Sequence, residues 1–312
     1  MEENLRAALS AYRMDSAAAK LLRHNENATY RVEHAGRAYA LRIHIPRAGF
    51  TLDTLGVERH EKPMLEGEMA MLRALLDGGF AVQRPIENRD GAVVTSLPCG
   101  ASATMLSWLE GEPISEITDE IARECGALAA RLRLFFDSPH GRIAVERYRY
   151  DEGMIERLRA LVQTGDAAGA FADGAADMRA ALDAIERQMR MLRETTGAFG
   201  LIHADLTKEN IIVTKDGLAP IDFCLSGYGF FAQDVAGMIA VFGETWRSAI
   251  LGGYAAAGAP MDARAIDPFV ALSVLLFICA QWKGFMHDTW FQEGLIRWRR
   301  EIFRPLSDLY IP

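Results

Sequence analysis

The chain has 312 residues, half of them apolar, 24% charged and 9% aromatic, with a formal charge of −8. That composition excludes a disordered, collagenous or membrane-embedded chain, and 34 Lys and Arg against 42 Asp and Glu exclude a nucleic-acid surface as its main business. Single hydrophobic cores stop growing at about 250–300 residues, so two lobes with a cleft between them are expected.

Leu5, Leu9 and Tyr12 stand at helical spacing near the start of the chain. Asn27–Val32 and the strictly alternating Arg37–Ile45 follow, joined by a polar turn at His34-Ala35-Gly36, and predict a β-hairpin. On the second of these strands, alternation places Tyr39, Leu41, Ile43 and Ile45 on a core face and Ala40, Arg42 and His44 on the other. Pro63–Leu76 predicts a helix, with Leu65, Met69, Leu72 and Leu76 on one face and Gly78-Gly79 as its stop. Glu68 falls on that apolar stripe, where a carboxylate needs a cation, and Arg42 is the natural one; a solvated helix-edge glutamate is the ordinary alternative. Ala92–Ser96 and Thr104–Leu109 are further strand candidates, and Gly111-Glu112-Pro113 breaks the pattern.

Beyond Gly111 the periodicity turns mainly helical: Ile117–Phe136, Glu152–Val162, Met178–Leu192, Gln233–Phe242, Phe269–Lys283 and Phe291–Phe303. Thr164–Ala176 reads as a loose connection. Phe199–His203, Ile211–Val213 and Ala219–Phe223 interrupt as short strands. The apolar run Phe269–Ala280 has about 12 residues against the roughly 20 needed to span a bilayer, which predicts a buried helix. Cys99, Cys125, Cys224 and Cys279 stand far apart, as free core thiols of a reducing compartment would. With the acidic opening Met1-Glu2-Glu3-Asn4, these features point to a cytoplasmic protein without a membrane partner.

Gly200–Val213 places His203, Asp205 and Asn210 in a polar loop between two apolar strands, and a third strand delivers Ile221-Asp222-Phe223. Asp205 can accept a proton from an attacking hydroxyl. Asn210 and Asp222 offer oxygen ligands to magnesium, which takes few protein ligands and keeps phosphate oxygens.

At these residues the sequence resembles the aminoglycoside phosphotransferase and choline kinase branch of the protein-kinase-like fold. The kinase catalytic loop, H-R-D-x-x-x-x-N, stands here as His203-Ala204-Asp205 with Asn210, and the metal motif D-F-G as Asp222-Phe223-Cys224. The resemblance implies an α+β, bilobal fold, with a small antiparallel-sheet lobe over residues 1–110 and a larger helical lobe over 111–312. It implies that Asp205 is the catalytic base, that Asn210 and Asp222 bind the metal, and that His203 braces the loop. It implies too that Asp234 holds the loop from the next helix; a simple helix-start carboxylate is the alternative reading of that residue. Tyr39-Ala40-Leu41-Arg42 has the layout of the kinase V-A-I-K strand, with Ala40 leaving room for adenine and Arg42, in place of Lys, pairing the phosphates and Glu68. No G-x-G-x-x-G occurs; Asn25, Asn27 and Thr29 occupy the phosphate-covering position. Met105–Gly111 resembles the hinge, which makes Ser107 and Leu109 the backbone contacts to adenine.

Only Cys224–Gln233 separates the metal motif from Asp234, and no A-P-E occurs, so a long activation loop is excluded. Transfer of the ATP γ-phosphoryl group to a small-molecule hydroxyl is the expected reaction. The alternatives are a bacterial stress-type protein Ser/Thr kinase and a nucleotide-binding pseudokinase. Residues 1–110 carry 13 basic and 14 acidic side chains, residues 111–312 carry 21 and 28, and the acidic surplus therefore favours a cationic acceptor. Tyr148, Tyr150, Trp246, Tyr254, Trp282, Phe285 and Trp290 are the aromatic candidates for its pocket, although core packing accounts for most such residues. Gly227–Phe231 is similar to homoserine-type and stress-related kinases, whereas the ending Leu309-Tyr310-Ile311-Pro312 lacks the acidic residues of aminoglycoside-modifying relatives.

Overall fold

The computed structural model describes residues 1–309 except 172–173, 196, 260 and 262–264, and the side chains up to Leu306. Its first part is built on an antiparallel six-stranded sheet. Helix α1 (Glu2–Ala11) leads into β1 (Ala18–His24), β2 (Ala28–His34) and β3 (Arg37–Ile43), helix α2 (Lys62–Asp77), and β4 (Pro85–Ile86), β5 (Thr95–Ser96) and β6 (Ser102–Ser107). The order is β1-β2-β3-β6-β4, with β5 also on β6.

Strand β3 lies inside this sheet and both of its faces are covered. Leu41 and Ile43 pack with Met105 against Ala8, Leu9 and Tyr12, so α1 seals one side. Ala40, Arg42 and His44, on the opposite face, are buried as well, beneath α2 and the cleft. Strand β1 is an edge strand, and its register on β2 shifts between Leu21 and Arg23. Such a bulge re-aims the side chains that follow it.

The remainder comprises β7 (Glu112–Pro113), α3 (Asp119–Asp137), β8 (Tyr148–Arg149), α4 (Glu152–Ala167), α5 (Ala175–Arg193), β9 (Phe199–Ile202), β10 (Ile211–Thr214), β11 (Gly217–Pro220), β12 (Gly227–Phe230), α6 (Ala232–Phe242), α7 (Arg247–Ala256), α8 (Asp267–Phe285), α9 (Thr289–Trp298) and α10 (Arg304–Leu309). The fold is α+β and bilobal. Two small sheets, β11-β10-β7 and β8-β12-β9, carry the loops between β9 and β12. Gly111 leads into β7 with φ +136°, and a Cβ there would meet Val213 O at 2.3 Å; only glycine lets the chain cross so close to β10.

Several boundaries differ from those the periodicity predicts. Helices α4 and α5 extend into the stretch 164–176, whose polar Ala-rich pattern hides their ends; residues 172–173 lie outside the described residues, as do 310–312 at the chain's end. Strand β6 stops at Ser107, two residues early, and Ala92–Ser96 supplies only the two-residue β5. Cys99 is exposed, in contrast to the three buried thiols. Among the described residues α8 is the helix whose length and composition would suffice to cross a membrane, and it packs on α5 and α6 with Phe269, Leu272, Leu275 and Cys279 fully buried.

Candidate active site

The loop between β9 and β10 carries His203, Asp205 and Asn210, and the turn after β11 carries Asp222. Two residues there adopt left-handed backbone, Ala204 at φ 67° and Asp222 at φ 62°. Each costs about 1–3 kcal/mol and persists only where the surroundings over-determine it. For Ala204 the surroundings are Asp234 on α6, whose carboxylate accepts the N–H of His203 at 3.0 Å and of Ala204 at 2.7 Å. His203 hydrogen-bonds Ile221 O through Nε2 at 3.0 Å, which makes Nε2 the protonated nitrogen. Nδ1 is then the acceptor for the Asp205 N–H at 3.3 Å. Its ring packs 4.3 Å from that of Phe223, and burial lowers its pKa to about 4. His203 is thus a neutral brace between the two turns.

Asn210 donates Nδ2 to Asp205 Oδ2 at 2.6 Å and to Asp205 O at 3.1 Å, which turns its Oδ1 toward Arg23. Burial, and then the neighbouring Asp222 and Glu26 carboxylates, hold the Asp205 carboxyl well above the usual range. A raised carboxylate is a stronger base once ionised. Asp222 feels the same burial, but the Arg23 and Arg42 guanidiniums outweigh it and keep its carboxyl below the usual range. Arg42 donates Nη1 to Asp222 Oδ1 at 3.2 Å and Nη2 to Glu68 Oε1 at 2.6 Å. The cation and partner read from β3 and the α2 stripe therefore meet, at 3% and 0% exposure, and link the sheet to the Asp222 turn.

Two cavities flank this cluster. The first, about 790 Å³, is lined by Thr29, Ala40, Arg42, Trp108, Leu109 and Asp222 among others; the second, about 580 Å³, by Glu26, Phe50, Tyr150, Asp205, Phe277 and Trp298 among others. Arg23, Glu209 and Asn210 line both.

Ser107, Asn27 and Asn25 stand apart from the remaining predicted contacts, and Asn25 lines the second cavity and not the first. Ser107 donates its N–H to Arg84 O at 2.8 Å and accepts Gln83 Nε2 on its carbonyl at 3.1 Å, so its backbone is already engaged; Leu109, past the end of β6, lines the first cavity. Asn27 is buried and bridges Glu26 Oε1 at 2.9 Å to Thr29 Oγ1 at 2.7 Å, bracing the β1–β2 turn. Of the seven aromatic candidates, only Tyr150 lines the second cavity. Tyr148, Tyr254 and Trp282 are core side chains and Trp290 is exposed. Phe50, Phe277 and Trp298 join Tyr150 in the lining of that cavity.

Three contributors escape the sequence reading. Arg23, the residue at the bulge of β1, donates Nη1 to Asn210 Oδ1 at 3.3 Å and Nη2 to Asp222 Oδ2. Glu26 stands beside it, its carboxyl raised to about 7 chiefly by burial. Arg147 is buried and donates to the carbonyls of Met64, Phe223, Cys224 and Ser226 at 2.5–2.9 Å, clasping α2 to the Asp222 turn. Behind that turn, His44, His60 and Cys224 offer ligand atoms within 4.8 Å of one another. His60 is engaged with Tyr148 Oη at 2.6 Å and Cys224 Sγ at 3.4 Å, and burial with Arg147 and Arg42 nearby holds it neutral down to about 3. Two guanidiniums make this a poor place for a cation. Asn210 Oδ1 and Asp222, by contrast, are hard oxygens already gathered around one positive group, a donor set that fits magnesium.

A family model described as the phosphotransferase enzyme family (APH) matches residues 18–269. The chain belongs to that family. It is 24% identical to amicoumacin kinase of Bacillus subtilis (strain 168) over 78% of this chain and 68% of that one. It is 28% identical to a homoserine kinase of Methylobacterium radiotolerans over 68% of this chain; the match spans 60% of that relative's length. Among solved structures, a microcompartment-associated aminopropanol kinase superposes with a TM-score of 0.78 at 24% identity, covering 98% of this chain and 96% of the other. An amicoumacin kinase solved with AMP-PNP, Ca2+ and Ami superposes with a TM-score of 0.70 at 21% identity, over 94% and 88%. The fold is that of the protein-kinase-like phosphotransferases, and the named relatives are small-molecule kinases.

Proposed function

We propose that the protein transfers the γ-phosphoryl group of ATP, with magnesium, to a hydroxyl of a small amine-bearing molecule, with Asp205 as the base. One observation carries this reading: the two cavities meet at Arg23, Glu209 and Asn210, with Asp222 in the wall of the first and Asp205 in the wall of the second. A nucleotide in the first and an alcohol in the second would bring donor and acceptor together at that shared wall. The relative solved with AMP-PNP and Ca2+ supports a nucleotide and a divalent cation.

Residues 1–110 form the nucleotide-anchoring domain in this reading. Ala40 leaves space for the base, Leu109 offers backbone to its edge, Thr29 faces the phosphates, and Arg42, held flat by Glu68, presents a guanidinium to them. Residues 111–312 carry the chemistry and the acceptor. Asn210 and Asp222 would hold magnesium, which supplies charge neutralisation at the phosphate oxygens. Asn210 also orients Asp205, whose carboxylate takes the hydroxyl proton as the new P–O bond forms and the bond to ADP breaks.

An amine on the acceptor is supported by the Glu26 and Glu209 carboxylates and the Phe277 and Trp298 rings of the second cavity. The names of the aminopropanol and homoserine kinases support it as well. A cytoplasmic setting suits three buried free thiols. The test is acceptor-dependent ADP release across amino alcohols, sugars and aminoglycosides. Release stimulated by an amino alcohol is expected; label appearing on proteins and on no small molecule would overturn the reading.

A further inference from the structure

Arg23 stands where two cations would compete. It leaves the bulge of β1 to reach Asn210 Oδ1 at 3.3 Å and Asp222 Oδ2, with Glu26 Oε1 at 3.9 Å, and it lines both cavities. These are the oxygens assigned above to the metal. A guanidinium on them repels a second positive charge and occupies the lone pairs that metal coordination needs.

We propose that Arg23 is a displaceable counter-cation of the metal site, resting on Asn210 and Asp222 and turning to the phosphates when a metal–nucleotide complex enters. The proposal rests on the nucleotide reading of the first cavity. A bare divalent cation brings the displaced guanidinium no acceptor beyond the Glu26 carboxyl it already faces, so it binds weakly. A metal–nucleotide complex brings phosphate oxygens, the acceptors for which a planar guanidinium fork is suited, and exchange becomes favourable. The Arg23 side chain is 35% exposed and sits on an edge strand, so it can leave Asp222 without unpacking a core. Arg42, at 3% exposure and tied to Glu68, has no such freedom. The two arginines on Asp222 thus divide the work: one anchors and the other yields.

The experiment is Mn2+ binding followed by electron paramagnetic resonance, without nucleotide and with AMP-PNP, in the wild-type protein and in Arg23→Met. The variant is expected to bind free Mn2+ about tenfold or more tighter than the wild type, and the Mn2+–AMP-PNP complex less tightly. Free Mn2+ binding no tighter in R23M overturns the counter-cation role. Unweakened binding of Mn2+–AMP-PNP in R23M overturns the phosphate contact. Failure of both proteins to bind Mn2+–AMP-PNP overturns the nucleotide reading itself, a result separate from either. Introducing Asp222→Asn into R23M should abolish the gain, and a gain that survives it would place the Mn2+ elsewhere and sink the proposal.

Discussion

The two cavities share a wall and little else. The first carries many charged side chains in its wall, among them Arg23 from β1 and Arg42 from β3, both paired with Asp222, and Arg42 is backed by Glu68 of α2. The second is walled mostly by apolar and aromatic side chains drawn from the 50–55 segment, α6, α8 and α9, with Asp205 on its floor. If the first cavity takes the donor and the second the acceptor, as proposed, the difference teaches that recognition of a common donor is built from electrostatics with little freedom to vary. In the same reading, recognition of an individual acceptor is built from helix surface, which can change residue by residue without touching the chemistry.

Three substitutions sharpen that contrast. Asp205→Asn should retain nucleotide binding and lose about 10²–10⁴-fold in turnover, measured by ADP release with the best acceptor. Glu68→Ala leaves Arg42 buried with only Asp222 as partner and should lower stability by about 3 kcal/mol, read from the urea midpoint; an effect under about 0.5 kcal/mol would mean that the pair does not anchor the sheet. A Cβ on Gly237 would have only Ser273 Oγ for company, at 3.7 Å, so Gly237→Leu can enter the second cavity. It should raise the acceptor KM about tenfold or more and leave the ATP KM unchanged; equal changes in both would erase the distinction between the cavities.

The smallest effect is a pH slope. His60 stays neutral in the folded protein down to about 3, whereas in the unfolded chain it protonates near 6.5. Acid therefore favours the unfolded chain: the stability from this residue is complete above 6.5 and is lost as pH falls toward 3. His60→Gln should lose about 1–2 kcal/mol less than the wild type between pH 6.5 and 5, and parallel losses would contradict the neutral imidazole.

The same contrast explains what could be read from the sequence. His203, Asp205, Asn210 and Asp222 act through short fixed spacings on strand ends, and the Arg42–Glu68 pair follows from two periods, one of β3 and one of α2. Arg23 was invisible because β1 buries no alternating face and its bulge changes where the residue points. The second cavity was invisible because α8 is apolar on nearly every side, so no stripe tells which residues face the core and which face Asp205. Sequence alone therefore offered Tyr148, Tyr254 and Trp282, which fill the core, and passed over Phe277 and Trp298.

The clasp made by Arg147 has a bearing on control. One guanidinium joins a carbonyl of α2, Met64 O, to three carbonyls of the Asp222 turn, so the helix that carries Glu68 cannot swing from the turn without breaking a buried, charge-assisted hydrogen bond as well as the Arg42–Glu68 pair. With α2 and the Asp222 turn tied together, the Arg42–Glu68 pair is in place at rest, and in the proposed reading Arg23 is the group left to move when a metal–nucleotide complex arrives. In that reading the molecule's output would follow the supply of donor and acceptor, as a tap left open follows the pressure in the main.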